Sequence, residues 1–290
     1  MPLIQWYPGH MAKAIRQVEE KLKLVDIVFE LVDARIPESS RNPMIQEVIK
    51  DKPHLLILTK ADLADSKETK NWLAYYKSRG EYAIALNSKE PSTEVIILKK
   101  TKEILAEKLS NRSDRGIKNS EIRSMCIGIP NVGKSTLLNH LLNKKVAITG
   151  DRPGVTKKQQ WLKSKRGLYL LDTPGILWPK FEDQSVGSKL AFTGAIKDNL
   201  FANDDVALYG LNIFIKHYPT GLMDRYKLSE DDLTLDLPEL LLLITKKLGM
   251  KDDYDRASQR FMLDARKGKL GRFCLDFVSE TSEDNESGND

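Results

Sequence analysis

The chain has 290 residues, 41% apolar and 30% charged, which excludes a wholly disordered, collagen-like or disulfide-scaffold protein. Forty-six basic residues against 41 acidic ones give a formal net charge of +5, yet Glu280 to Asp290 hold five acids and no base, so residues 1–279 carry +10. That surplus fits a polyanionic partner or a lysine-rich solvated surface equally well. Cys126 and Cys274 belong to no CxxC or His/Cys cluster, so neither a disulfide framework nor a zinc site is indicated and a reducing cytoplasm is expected. No apolar run approaches the roughly 18 residues of a membrane span, and the N-terminus lacks the apolar stretch of a secretion signal.

In chain order, DIVFELVD at 26–33, HLLIL at 54–58, AIAL at 83–86, SMCIGI at 124–129 and LYLLD at 168–172 read as buried strands. Helices are expected between them at 44–50, 67–77 and 93–109, and residues 111–120 read as a surface connector. This alternation predicts an α/β fold with a doubly wound, mostly parallel sheet, whose ligand lies at the carboxyl ends of the strands. From about Phe181 the strand signals stop. Leu208, Leu211, Ile215 and Tyr218 recur at helical spacing, as do Leu237, Leu240, Leu241, Ile244 and Leu248, predicting a small all-α domain. The expected organisation is a first domain at 1–178 with a basic arm at 1–23, a helical domain at 179–279, and a disordered acidic tail at 280–290.

Residues 128–135, GIPNVGKS, match GxxxxGK[ST] between a strand and the helix-like TLLNHLL. In such a loop the backbone N–H groups of Asn131, Val132, Gly133, Lys134, Ser135 and Thr136 surround phosphate, Lys134 reaches the β and γ oxygens, and Ser135 can ligate Mg²⁺. Asp172-Thr-Pro-Gly175 follows the LYLL strand. It places Asp172 where it can reach Mg²⁺ through water and Gly175 where its N–H can meet a γ-phosphate. Between these motifs lies GDRPGVT at 150–156, whose Thr156 is the candidate second Mg²⁺ hydroxyl.

Thr59-Lys60-Ala61-Asp62 matches [NT]KxD, the guanine-reading pattern of GTPases. Asp62 would accept from guanine N1–H and the 2-amino group, which adenine lacks, so a buried carboxylate would be left unpaired with ATP at a cost of about 1–3 kcal/mol. Lys60 would lay its stem over the base, and Asn87, Ser88 and Lys89 would bring backbone amides near the guanine oxygen. A polar strand-to-helix turn explains Asn87-Ser88-Lys89 nearly as well.

The base motif precedes the phosphate motif, the reverse of a Ras-like chain, so a circularly permuted Ras-like P-loop GTPase domain is expected. The motifs TKAD, NSK, GIPNVGKS and DTPG in this order, with WYPGHMAKA at 6–14, VDARIP at 32–37, GDRPGVT and DTPGILWPKFED, resemble the bacterial ribosome biogenesis GTPase A family over residues 3–275. The resemblance implies GTP and GDP binding with Mg²⁺, a helical RNA-binding domain, and late assembly of the large (50S) ribosomal subunit. Its partners would be the pre-50S particle, rRNA and ribosomal proteins, in the cytoplasm, without membrane or DNA. Thr59 departs from the commoner Asn of that motif and is expected to weaken one contact to the P-loop.

Ile176 occupies the position where Ras-like enzymes carry the water-orienting Gln, so slow unaided hydrolysis, accelerated by a ribosomal partner, is expected. Asn131 resembles the asparagine of cation-dependent GTPases and is a candidate K⁺ ligand. His10 either orients water or contacts phosphate or rRNA on the basic arm. Residues 144–166 hold eight basic residues and only Asp151 as acid, and a second basic set is Arg256, Arg260, Arg266, Lys267, Lys269 and Arg272, where a solvated helix is at least as good a reading. Trp6, Tyr7, Trp161 and Trp178 suit either base stacking or the core. A protein-binding switch and a P-loop ATPase share parts of this pattern.

Overall fold

The computed structural model describes residues 10–116, 121–143, 161–173, 175–178, 181 and 183–280, with side chains from Ile15 onward. The chain runs α1 (His10–Leu22), β1 (Ile27–Asp33), α2 (Pro43–Ile49), β2 (His54–Thr59), α3 (Ser66–Ser78) and β3 (Ala83–Ala85). It continues with α4 (Thr93–Ile104), α5 (Ala106–Asp114), β4 (Ile122–Gly128), α6 (Lys134–Leu142), β5 (Trp161–Lys163) and β6 (Leu168–Asp172). Helices α7 (Gln184–Thr193), α8 (Asn203–His217), α9 (Pro219–Tyr226), α10 (Leu237–Lys247) and α11 (Tyr254–Arg266) follow.

The strands form one sheet in the order β3-β2-β1-β4-β6-β5. All neighbours are parallel except β5, which pairs antiparallel with β6. Central β1 is buried throughout, as expected of a parallel strand covered on both faces. Its residues alternate between two layers: Ile27, Phe29 and Leu31 join the main core with Leu137, Leu138 and Leu141 of α6. Val28 packs instead with Val18 of α1 and Ile45 and Ile49 of α2, while Val32 packs with Trp72 and Tyr76 of α3.

Three details differ from the sequence expectations. The segment expected as one helix to residue 109 breaks at Leu105, and α5 carries helix through to Asp114, into the stretch read as a connector. Asp26 explains the persistence, because its carboxylate takes Arg112 Nη2 at 2.6 Å and Lys108 Nζ at 2.7 Å and ties this polar helix to the sheet. Strand β5 was not foreseen: three residues with both ends exposed show no burial pattern, and the strand exists through the 164–167 turn, where Leu168 N donates to Ser164 Oγ and Gly167 has φ +88°. In α8 the buried stripe is Val206, Ala207, Gly210, Leu211 and Phe214, so Leu208 and Ile215 sit on its flank. Phe214 sets that rotation by packing within 6.1 Å of the rings of Phe192, Phe261 and Phe273.

The main core is continuous from the sheet into the helical residues, joining Leu31 and Leu177 to Leu190, Phe192, Phe261 and Phe273. Residues 273–276 return to the sheet. Phe273 N donates to Leu63 O at 3.2 Å and Leu275 N to Arg35 O at 2.8 Å. Asp276 accepts from Ser39 N and Oγ at 2.7 and 2.6 Å and pairs with Lys189 of α7 at 3.0 Å.

Candidate functional site

The parallel register brings the carboxyl ends of β3, β2, β1, β4 and β6 to one edge. In that spatial order they lead into Asn87-Ser88-Lys89, Thr59–Asp62, Asp33–Arg35, Gly128–Ser135 and Asp172–Gly175. Motifs that run base-first in the chain therefore share one rim, with the phosphate loop on the strand beside β1.

The loop after β4 is shaped by three left-handed residues, Asn131 at φ +56°, Gly133 at +104° and Gly128 at +151°. A Cβ on Gly128 would lie 2.4 Å from Leu31 O, so the loop leaves the sheet pressed against β1. Helix α6 starts from Gly133 without a side-chain cap, so the first-turn N–H groups, including those of Ser135 and Thr136, can serve an anion. Lys134 is buried and its Nζ donates to Gly128 O at 2.9 Å and Ile129 O at 2.7 Å. Burial lowers this ammonium to about 8, with Asp172 opposing the shift.

The base motif is tied to that loop by Thr59. Its buried hydroxyl is shared between Val32 O at 2.9 Å and Val132 O at 2.5 Å. Thr59 thus keeps a contact to the P-loop, its short β-branched alcohol reaching the Val132 carbonyl directly. Lys60 stands at φ +56° and its Nζ meets Asp33 Oδ2 at 2.8 Å. Asp62 is exposed, so the burial expected of its carboxylate is not a property of the loop and would have to come from a base laid against it. The two base loops are joined where Ala61 N donates to Leu86 O at 3.3 Å. Asn87 Oδ1 accepts from Lys89 N at 3.2 Å, Asn87 O accepts from Thr93 Oγ1 at 3.1 Å, and Ser88 is buried.

On the other side of the loop, Asp172 ends β6 as a buried carboxylate, opposite Cys126 of β4 in the register. Thr173 Oγ1 donates to Cys126 O at 2.6 Å. Gly175 lies directly on the P-loop, where a Cβ would come within 2.7 Å of both N and Cα of Pro130. Ile176 N donates to Gly128 O at 3.2 Å and its side chain is fully buried, so it orients no water. Ser135 at the start of α6 and Asp172 on the adjacent strand offer the hard oxygen ligands that suit Mg²⁺.

The last turn of α7 links this rim to the helical residues. Its carbonyls are taken in series: Ala191 O and Phe192 O by Arg266 of α11 at 2.7 and 2.8 Å, Thr193 O by Arg35 at 3.3 Å, and Gly194 O by Asn131 Nδ2 at 2.8 Å. The candidate K⁺ ligand thus commits its amide nitrogen to Gly194 and keeps its amide oxygen for another partner.

Sequence reasoning missed Asp33, Arg35 and Arg266 as parts of this arrangement. The only signal for the first two is VDARIP, a marker of the family resemblance that assigns neither residue a role. The basic face proposed for Arg256–Arg272 is thinned by the fold. Arg260 and Lys269 pair with buried Asp264 at 3.0 and 3.3 Å, and Arg266 turns inward. Trp161 is exposed, with Arg123 at 5.9 Å from its ring, whereas Trp178 packs edge-on against Phe181. Trp6, Tyr7, Thr156, residues 144–160 of the basic stretch, the tail from 281 and the His10 side chain lie outside the described residues.

A family model described as "50S ribosome-binding GTPase" matches residues 123–243, beginning at β4 and so excluding the base motif at 59–62. Ribosome biogenesis GTPase A of Priestia megaterium is 51% identical over 97% of this chain and 99% of its own. Mitochondrial ribosome-associated GTPase 1 of Bos taurus is 33% identical over 94% of this chain and 88% of its own. Among solved structures, GNP-bound YlqF from T. maritima matches with a TM-score of 0.66 at 26% identity, covering 91% of this chain and 98% of that one.

Proposed function

This chain belongs to the ribosome biogenesis GTPase A family, GTPases that act in assembly of the large ribosomal subunit, and from that premise we propose which residues carry the nucleotide and what its state controls. Guanine lies against Lys60 and Asp62, with Asn87, Ser88 and Lys89 lining the oxygen side. The phosphates lie on the N–H groups of Asn131 to Thr136. Lys134 exchanges the carbonyls of Gly128 and Ile129 for the β and γ oxygens, a swap between a neutral acceptor and a charged one that favours phosphate. Ser135 and Thr156 would hold Mg²⁺ directly and Asp172 through water, and the bound ion supplies charge neutralisation between the β- and γ-phosphates. Gly175 N–H meets the γ-phosphate, and the Asn131 amide oxygen takes K⁺.

The observation that carries this reading is the Thr59 hydroxyl on Val132 O, which fixes the base motif and the phosphate loop at one rim despite their inverted order in the chain. Titration with GDP, a GTP analogue and an ATP analogue tests it. Asp62→Ala should abolish the preference for guanine, and an unchanged preference would refute the assignment.

The GTP state, read through Gly175 and Asn131, is proposed to govern binding of the pre-50S particle through rRNA and ribosomal proteins, with hydrolysis releasing the factor into the cytoplasm. Residues 1–178 form the permuted GTPase domain and 179–279 the rRNA-binding helical domain, followed by the acidic sequence of 280–290. The net +10 over 1–279 is compatible with a polyanionic partner, and the family membership is what favours rRNA over a merely solvated surface. His10 is proposed to orient water on the particle, with rRNA contact as its alternative role. Normal particle-stimulated hydrolysis in His10→Ala would eliminate the former, and equal rates in Na⁺ and K⁺ would eliminate the K⁺ role.

A further inference from the structure

We propose that Asp33 is a positioning residue for guanine recognition, one that anchors the Lys60 ammonium so that the lysine stem is held ready as a platform for the base. This rests on the reading of Thr59–Asp62 as the base motif.

Asp33 closes β1 and stands opposite Thr59 in the parallel register, so it shares the rim with the base motif without belonging to it. Its carboxylate is buried and receives two cations. Oδ1 accepts from Arg35 Nε at 2.8 Å and Arg35 N at 3.1 Å. Oδ2 accepts from Arg35 Nη2 at 2.6 Å and from Lys60 Nζ at 2.8 Å. The two cations differ in kind. Arg35 is 1% exposed, with its guanidinium 5.6 Å from the Phe273 ring and a further bond to Thr193 O, so it cannot move. A rigid fork on a carboxylate fixes that carboxylate's plane.

Lys60 is the cation on the open side, its side chain 26% exposed. A lysine stem without an anchor samples many rotamers, and ordering it on ligand binding lowers affinity. Anchoring it at Nζ, on a backbone already held at φ +56°, removes most of that freedom beforehand. The carboxylate suits this task because burial alone would raise its pKa, yet Arg35 and Lys60 hold it well below the usual range, so it stays charged at any pH of interest.

The anchor acts on the base, which GTP and GDP share, and not on the reacting phosphates. Its loss should therefore weaken both nucleotides alike, by about tenfold for one long side chain left to be ordered on binding, and leave kcat at saturating GTP within about twofold.

The test is nucleotide titration and steady-state kinetics of the full chain carrying Lys60→Ala, Lys60→Met, Asp33→Asn or Asp33→Asn with Lys60→Met, each with its melting curve. Lys60→Met keeps an apolar stem of similar length and removes the anchored charge, leaving the Asp33–Arg35 pair intact. The proposal predicts that Lys60→Met and Asp33→Asn each raise Kd and KM about tenfold with kcat retained, and that the double variant is no worse than either single one. It is overturned if Lys60→Met binds like the wild type while Lys60→Ala is impaired, since an unanchored stem then suffices. It is also overturned if the Asp33→Asn and Lys60→Met losses multiply. Should Asp33→Asn fail to fold, the comparison of Lys60→Met with Lys60→Ala decides. If Lys60→Ala itself binds both nucleotides normally, the base-motif reading falls and this proposal with it.

Discussion

Replacing Gly175 by alanine should separate recognition of GTP from recognition of GDP. The added Cβ would sit 2.7 Å from Pro130 N and Pro130 Cα and 3.1 Å from Pro130 Cγ. The first two are backbone atoms of the phosphate loop and cannot rotate away, and ordinary contacts of a Cβ begin near 3.4 Å. The strand exit or the loop must therefore yield by about 0.7 Å. Ile176 N–Gly128 O at 3.2 Å and Asn42 Nδ2–Ile176 O at 3.0 Å hold the strand exit immediately after the glycine, so the shift concentrates at Gly175 itself. A hydrogen bond to a charged oxygen contributes about 1.5–3 kcal/mol and weakens steeply with such a displacement. The GTP analogue should therefore bind about 10- to 100-fold more weakly, while GDP, which offers this N–H no γ-phosphate, should bind within about twofold of wild type. Equilibrium titration with fluorescent GDP and a fluorescent non-hydrolysable GTP analogue measures both. Equal losses for the two nucleotides would mean that the clash collapses the P-loop as a whole, and no loss for either would mean that Gly175 does not sense the γ-phosphate; either result refutes the reasoning.

Thr59→Val should cost about 1–3 kcal/mol of stability, because the carbonyls of Val32 and Val132 lose a donor in a site without exposure, and thermal denaturation should show a Tm lower by several degrees. GDP affinity should fall in parallel as the base motif comes loose from the loop. Lys134 is held at about 8 by burial, and phosphate beside it restores the ordinary lysine range, so nucleotide binding should take up a proton above pH 8. Calorimetry in buffers of different ionisation enthalpy should detect that uptake, with affinity falling as pH rises through 8 to 9; a pH-independent affinity would contradict it. At the far edge of the sheet, His54 Nε2 lies 3.6 Å from Glu81 Oε2. The Glu81 carboxylate beside it raises the His54 pKa, so this contribution to stability is full below about pH 6.5 and disappears as pH rises through the raised value. Burial would raise Glu81, but the neighbouring His54 ring and the hydrogen-bonded Arg41 guanidinium bring it down to about 2, so its contribution is present above about pH 4.5 and fades as pH falls towards 2. Stability from denaturant melts, plotted against pH, should differ in slope between wild type and His54→Gln across the neutral range, where His54 titrates, and again below about pH 4.5, where Glu81 does.

The α/β class was legible because each parallel strand is a short apolar run bounded by polar turns, and such runs are set by burial on both faces. The chemistry at the strand ends was legible for the same reason: GIPNVGKS and DTPG each follow a strand, so their position on the rim follows from topology. Strand β5 was not legible, since an exposed three-residue edge strand is specified by its partner β6 and by the Ser164–Gly167 turn. Asp33 and Arg35 were hidden for a different reason. Their role depends on Lys60, 27 residues away from Asp33, and on Thr193, 158 residues from Arg35, separations over which no local pattern reports. Arg266 read as one of a basic set on its helix, but its guanidinium closes the carbonyl end of α7, which only the packing of α11 on α7 determines.

The central claim is that guanine nucleotide state governs engagement of the large ribosomal subunit. Sedimentation of the full chain with large-subunit precursors, in a GTP analogue and in GDP over a range of salt, tests it most directly. The account predicts co-sedimentation with the GTP analogue, little with GDP, and an affinity that falls steeply with salt as phosphate contacts are screened. Binding that is absent, indifferent to the nucleotide or insensitive to salt would contradict it.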